Sequence, residues 1–316
     1  MFDEMKNKLE AIVNKTDITS GTTLASAGKL STEEYQFAMK KIVDSTEIMK
    51  MATNQPMNAE VADINDFSIA EYALTNPGEA SDYTAVTITT SKRTLTASKV
   101  VLGFNMSYEF IEDNVNGQDG ADKVVGAMFT TFGNQLACLG IGGTGSTTGL
   151  DGTTKTFWAL NVGWIYKVIA ESNSDLIYDT SKSKDFVDTV LPAILAKENA
   201  KYAKNPNRKI FMSKADWELC AADIAASRTT PLGDQVFAGL EPLPYRGVQI
   251  VWVPYWPDNY HLLCNPTNLV YGVYRDITLR SQPNVVADKL TYAITARVDF
   301  EIANIDAVVL GYNATP

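Results

Sequence analysis

The sequence predicts an α+β fold, and three observations carry that prediction. Residues 121–139 repeat apolar side chains at the spacing of one helix face, Val125, Met128, Phe129, Phe132, Leu136 and Leu139. Residues 61–106 instead alternate with a period of two, as half-exposed strands do. From Leu269 onward the chain is nearly all strand in texture. Helices and strands therefore fall in separate runs, which fits α+β better than repeated βα units.

The elements follow in order. A short helix is expected near Phe2 to Val13, then a Thr/Ser/Gly/Ala-rich run from Thr16 to Gly28, too polar and small to bury itself. Ser31 and Glu34 match a capping box. The helix they open shows Tyr35, Met39, Ile42, Thr46 and Met49 on one face and stops before Asn54-Gln-Pro56. This arm needs something to lie against.

Next comes a hairpin of Thr-rich strands, Val86-Thr-Ile-Thr and Thr94-Leu-Thr-Ala on its return, with Asn-Pro-Gly turn chemistry between Thr75 and Asp82. Its tip is acidic (Glu79, Asp82) and its return strand basic (Lys92, Arg93, Lys99). A two-stranded hairpin is marginal in water, so either this chain or a neighbouring copy must support it. The helix over residues 121–139 would be a rod of roughly 28 Å. Gly140-Ile-Gly-Gly-Thr-Gly145 reads as its glycine stop.

Beyond the rod lies a Gly/Thr loop and a Trp-bearing segment (Phe157, Trp158, Trp164, Tyr166) whose pattern assigns no element. Ser183 can cap a helix from about Lys184 to Ala203, in which Pro192 demands a kink or a restart. Lys209–Ser213 reads as a buried strand. Lys214–Ser227 reads as a helix with Trp217, Cys220, Ala221 and Ile224 inward, and Gly247–Val253 as another strand. The closing strands are expected at 270–273, 277–280, 290–302 and 307–310.

Composition excludes several functions. The 316 residues are 45% hydrophobic and 20% charged, as in a folded chain, with net charge −10. That balance argues against a sequence-reading nucleic-acid binder, which carries a basic stripe. Cys138, Cys220 and Cys264 form no CxxC pair and suggest buried thiols in a reducing compartment. The charged N-terminus has no apolar core of a secretory signal, and no membrane span is expected.

Motif tests point away from catalysis. Gly140-x-Gly142-x-x-Gly145 matches the dinucleotide pattern, but it follows a helix C-terminus, whose dipole repels phosphate. No P-loop is present. His261 is the single histidine, which rules out a two-histidine metal motif. In a strand it would face away from Cys264, which disfavours a dyad, so it reads as structural. Arg297, Asp299 and Glu301 share one strand face. They are a charge network if that face is internal and an intersubunit contact if it is not. The expectation is no enzyme, no catalytic residue, no cofactor and no metal.

Taken together, the pieces resemble a tailed-bacteriophage major capsid protein of the Hong Kong 97 fold, across nearly the whole chain. The hairpin with Asn76-Pro-Gly-Glu-Ala-Ser-Asp82 looks like that family's extended loop. Leu102-Gly-Phe-Asn-Met-Ser-Tyr-Glu looks like its approach to the long spine helix, which residues 121–139 match, followed by the glycine-rich exit. Phe211-Met-Ser-Lys-Ala-Asp-Trp217 and Leu243-Pro-Tyr-Arg-Gly-Val-Gln-Ile250 resemble steps of the axial domain, and residues 297–309 the closing strands of the peripheral domain.

The resemblance implies an N-terminal arm at 1–60, an extended loop at 61–106 and a peripheral domain with the spine helix at 107–180. An axial domain would occupy 181–272, and closing peripheral strands 273–316. It implies a chain made and assembled in a bacterial cytoplasm and residing in the virion. Its partners would be further copies in pentamers and hexamers, a portal, scaffolding or decoration proteins, and packaged double-stranded DNA, with no membrane. The assembly candidates are Tyr35 and Met39 on the arm helix, Glu79 and Asp82 at the tip, and Lys92 and Arg93 on the return strand. The family's Lys–Asn cross-link is not assigned here. Only about 30 residues precede the arm helix, so scaffolding would be a separate protein, absent or already removed. Two other readings remain open: an encapsulin-type compartment shell of the same fold, and a nucleotide-dependent enzyme using the 140–145 glycines. A shell also predicts a neutral or acidic inner wall, since a basic one would hold DNA by releasing counterions.

Overall fold

The computed structural model describes residues 47–69, 74, 76, 88–109, 117–171, 177–179, 185–227, 243–284 and 286–312. Among them are two sheets, a separate hairpin and one dominant helix. The arm's last turn is a short helix, α1 (Glu47–Met51), with Ile48 and Met49 buried. It ends before Asn54, as the Pro56 signal requires. The rest of the arm lies outside the described residues, as do Tyr35, Met39 and the Ser31 cap.

The four-stranded sheet runs β1 (Thr53–Pro56), β10 (Leu269–Asn284), β11 (Lys289–Ile302), β4 (Ser98–Ser107). The hairpin is β2 (Val61–Ile69) with β3 (Ile88–Thr96), in antiparallel register from Val61 opposite Thr96 to Ile69 opposite Ile88. Ser98–Ser107 alternates like a hairpin strand but pairs with β11, so the ribbon ends at Thr96. Period two reveals a strand and not its partner. Residues 277–280 and 270–273 merge into β10, with register shifts between Val273 and Thr278.

The long helix, α2 (Gly117–Gly142), has 26 residues and is about 39 Å long. It runs through Gly140 and ends at Gly142, inside the glycine run, so the stop falls three residues past Leu139. Gly140 is small because a Cβ there would lie 2.6 Å from the Phe300 ring of β11. Only Gly145, past the helix end, has a left-handed φ, +67°. Val125, Met128, Phe132, Leu136 and Leu139 are buried as the period predicts, and Phe129 packs at the edge. The stretch Val124–Gly142 is long and apolar enough to cross a membrane, contrary to the expectation of no such run, and half of it is buried in the protein.

The Trp-bearing segment forms a 3₁₀ turn (Thr156–Ala159) and helix α3 (Trp164–Ala170). Trp164 is fully buried edge-on to Phe300 and donates from Nε1 to the Val270 carbonyl at 3.0 Å.

The six-stranded sheet runs β5 (Ile177–Asp179), β12 (Val308–Tyr312), β9 (Tyr260–Cys264), β6 (Lys209–Met212), β8 (Val248–Trp252), β7 (Leu243–Tyr245). Both faces are buried. Phe211, Leu262, Cys264, Val308 and Leu310 join the core that holds α2, while Ile210, Met212, Ile250, Leu263 and Val309 face a second core. That second core is closed by a π turn (Phe186–Val190), α4 (Leu191–Ala196) and α5 (Lys214–Ser227). Pro192 has its restart: it stands in the first turn of α4, where a missing N–H costs nothing. The cap at this entry is Asp185, accepting from the Asp188 N–H; Ser183 lies outside the described residues. Between β7 and β8, Arg246 (φ 46°) and Gly247 (φ 81°) form a two-residue turn of the hairpin-favoured kind.

Candidate assembly interface

A two-stranded ribbon is marginal in water by itself, and the base of this hairpin shows how the chain supports it. Leu95 is fully buried and clusters with Met57, Ala97 and Val270. Gly272 lets this cluster close: a Cβ there would lie 2.7 Å from the Met57 sulfur. The Thr96 N–H donates to Asp299 Oδ2 at 2.6 Å. Burial pushes the Asp299 carboxyl above the usual carboxylate range, although this bond and nearby Lys167 act the other way.

Charge completes the anchor. Glu301, 5% exposed in its side chain, receives Lys167 Nζ at 2.6 Å and an Arg93 guanidinium nitrogen at 3.3 Å. Arg93 also reaches Glu171, the C-cap of α3, at 2.7 Å. The alternating row on β11 is thus a network within one chain at Asp299 and Glu301. A buried carboxylate of this kind is tolerated only because it is paired.

Of the assembly candidates, Arg93 spends its charge on Glu171 and Glu301 of its own chain. Lys92 points outward and pairs with Asp63 across the ribbon at 2.9 Å, an exposed contact of small energetic weight. The Lys92 contact leads the Asp63 carboxyl to sit below its ordinary range. Glu79 and Asp82 lie outside the described residues, as do Tyr35 and Met39. Lys167, Glu171 and the receiving role of Glu301 are additions that the structure makes. The ribbon also leaves Val61 51% and Ile88 60% exposed.

The other motifs show no binding geometry. The glycines at the end of α2 are packed: a Cβ on Gly143 would meet the Asn161 carbonyl at 2.5 Å, and one on Gly142 would meet Trp158. His261 is buried on the opposite strand face from Cys264, edge-on to Phe186, with Nε2 3.3 Å from Asp216 Oδ2. Burial raises the Asp216 carboxyl. His261, the Asn259 N–H at 2.8 Å and Ser213 outweigh that and hold it below its usual range. Burial raises all three thiols, Cys138 to about 11 and Cys220 to about 12. Among the described residues, no group of three or more His, Cys, Asp or Glu could hold a metal ion.

No protein-family model matches the sequence, and no curated protein matches it. Solved structures do match the fold. A chain of the satellite phage P4 procapsid that includes the size determination (Sid) protein aligns over 99% of this chain and 98% of its own, with TM-score 0.66 and 16% identity. The capsid of an empty GTA particle aligns over 94% and 96%, with TM-score 0.57 and 13% identity. The virus-like particle from Pyrococcus furiosus aligns over 88% and 98%, with TM-score 0.53 and 12% identity. At these identities the likeness is one of fold.

Proposed function

We propose that this chain is the major capsid protein of a tailed phage, which self-assembles into an icosahedral shell around double-stranded DNA. The observation that carries this reading is the end-to-end likeness to the P4 procapsid chain, which leaves almost no part of either chain unmatched. The geometry supports it. Residues 61–106 would be the extended loop, its ribbon held at the base by Leu95 and Arg93 and offering Val61 and Ile88 to a neighbour. The long helix and four-stranded sheet would form the peripheral domain, using residues from 107–180 and 273–316. The six-stranded sheet, with residues 181–272 at its centre, would form the axial domain around which pentamers and hexamers close. Arm residues 1–60, with Tyr35 and Met39, would lie on neighbouring copies. Portal, scaffolding or decoration proteins and packaged DNA would be its other partners, in the virion after assembly in a bacterial cytoplasm.

A second reading, an encapsulin-type compartment shell, is favoured by the Pyrococcus furiosus particle. Electron microscopy of particles purified from the native source separates the two. Closed shells filled with DNA and bearing a portal support the first; shells enclosing a protein cargo support the second. A stable monomer under all conditions refutes both.

A further inference from the structure

Two stretches of chain cross between the six-stranded and the four-stranded sheet. Residues 265–268 lead from β9 into β10, and residues 303–307 lead from β11 into β12. They are zipped together: the Asn304 N–H donates to Asn268 Oδ1 at 2.7 Å, and Asn268 Nδ2 donates to the Asn304 carbonyl at 2.7 Å. The loop 197–208, between α4 and β6, meets this pair where Asn304 Nδ2 donates to Tyr202 Oη at 2.9 Å. Between the three segments is an open cavity of about 240 Å³.

The lining of this cavity has spent most of its acceptors and kept its donors. Asn205 Oδ1 and Asn265 Oδ1 are taken by the N–H groups of Asn207 and Thr267. The Glu198 carboxylate holds the Arg208 guanidinium in a largely buried ion pair. Left over among the described residues are the other Arg208 N–H groups, the Tyr202 hydroxyl proton and the Nδ2 of Asn205 and Asn265, all on residues that line the cavity. Water meets such donors one at a time, whereas an oxyanion meets several at once through stronger, charge-assisted bonds. Charge points the same way. In a chain of net charge −10, residues 197–209 hold Lys197, Lys201, Lys204, Arg208 and Lys209 against one acid, Glu198. Lys201 and Lys204 are exposed, and Lys201 Nζ stands 5.5 Å from the centre of the Tyr202 ring. Asp306, the other acid nearby, is exposed and stands outside the lining. We propose that the cavity is a site for an oxyanion of the phosphate class, seated on Arg208, Tyr202, Asn205 and Asn265. A tetrahedral oxyanion presents acceptors in several directions, as donors from separate segments require, and the volume leaves room for an ester substituent. Bound there, it would tie the loop 197–208 to the crossing at 265–268 and so brace the joint between the sheets. The site does not rest on the shell reading.

Calorimetric titration of the full-length protein with inorganic phosphate, at an ionic strength held constant with potassium chloride, tests the site. Saturable binding is expected. Asn205→Asp keeps an acceptor for the Asn207 N–H, removes the donor and adds a repelling charge, and should weaken the affinity about tenfold. Tyr202→Phe removes only the hydroxyl and should weaken it by a smaller factor. Glu198→Gln frees Arg208 and should tighten phosphate binding while lowering stability in its absence, a combination that a purely structural ion pair does not give. A short DNA duplex that displaces phosphate supports the site with a nucleic-acid phosphate as its occupant; a duplex that does not compete supports free phosphate or a small phosphate ester. No phosphate binding beyond that of chloride, or an affinity unmoved by both Asn205→Asp and Glu198→Gln, would overturn the site and leave the shell reading untouched.

Discussion

Gly140 offers the sharpest test of how the long helix is packed. Replacing it with Ala places a Cβ 2.6 Å from one Phe300 ring carbon and 2.9 Å from another. The ring has little room to yield, since Phe300 is fully buried and held edge-on by Trp164 at 5.3 Å between centroids. Overpacking of this kind costs about 1–3 kcal/mol. Against it stands the better helix propensity of Ala, worth up to about 1 kcal/mol. Gly126, in the same helix, isolates that gain, because a Cβ there meets nothing within 4 Å. Gly126→Ala should therefore stabilise by about 0.5–1 kcal/mol. Gly140→Ala should fall below it by about 1–3 kcal/mol, the steric part alone. Urea unfolding of the unassembled chain, followed by tryptophan fluorescence, measures both. Phe300→Leu should cost less in the Gly140→Ala background than in the wild type, because the smaller side chain makes room for the new methyl. If Gly140→Ala stabilises as much as Gly126→Ala, the close approach of α2 to β11 is wrong.

Three further substitutions test the rest. Phe132→Asp puts a carboxylate where the side chain is 4% exposed, and should leave no folded chain by circular dichroism; soluble, folded capsomers would show that this helix face is not core. Glu301→Gln strips the charge partner from Lys167 and Arg93 and should destabilise by about 2–4 kcal/mol, with faster amide exchange in β3 than in β9; uniform exchange would deny that the network anchors the ribbon. The Asp216 carboxyl is held below its unfolded value, so its contribution is present above the ordinary carboxylate range and lost as pH falls through its lowered folded value. Asp216→Asn should accordingly be less stable than wild type at pH 7, with the gap closing in acid; a gap that persists at pH 2 would assign the effect to packing.

Local pattern was readable wherever local pattern decides the outcome. The helical period of residues 125–139 and the bounds of the helix Lys214–Ser227 are set by side chains three and four apart, and both are as the sequence reads. The opposite facing of His261 and Cys264 follows from strand geometry alone. What the sequence could not show depends on distant partners. Gly140 reads as a stop until Phe300, 160 residues later, is seen against it. Glu301 reads as either network or contact until Arg93 and Lys167 arrive from 208 and 134 residues away. Ser98–Ser107 alternates like a ribbon strand and joins β11 because its partner is chosen by tertiary packing, which period two does not encode.

The proposed role makes this chain one unit of a closed shell. Electron microscopy of the purified full-length protein, with sedimentation on the same sample, tests that role. Symmetric particles or pentameric and hexameric capsomers of uniform size are expected. A single folded monomer across salt, pH and concentration would refute it.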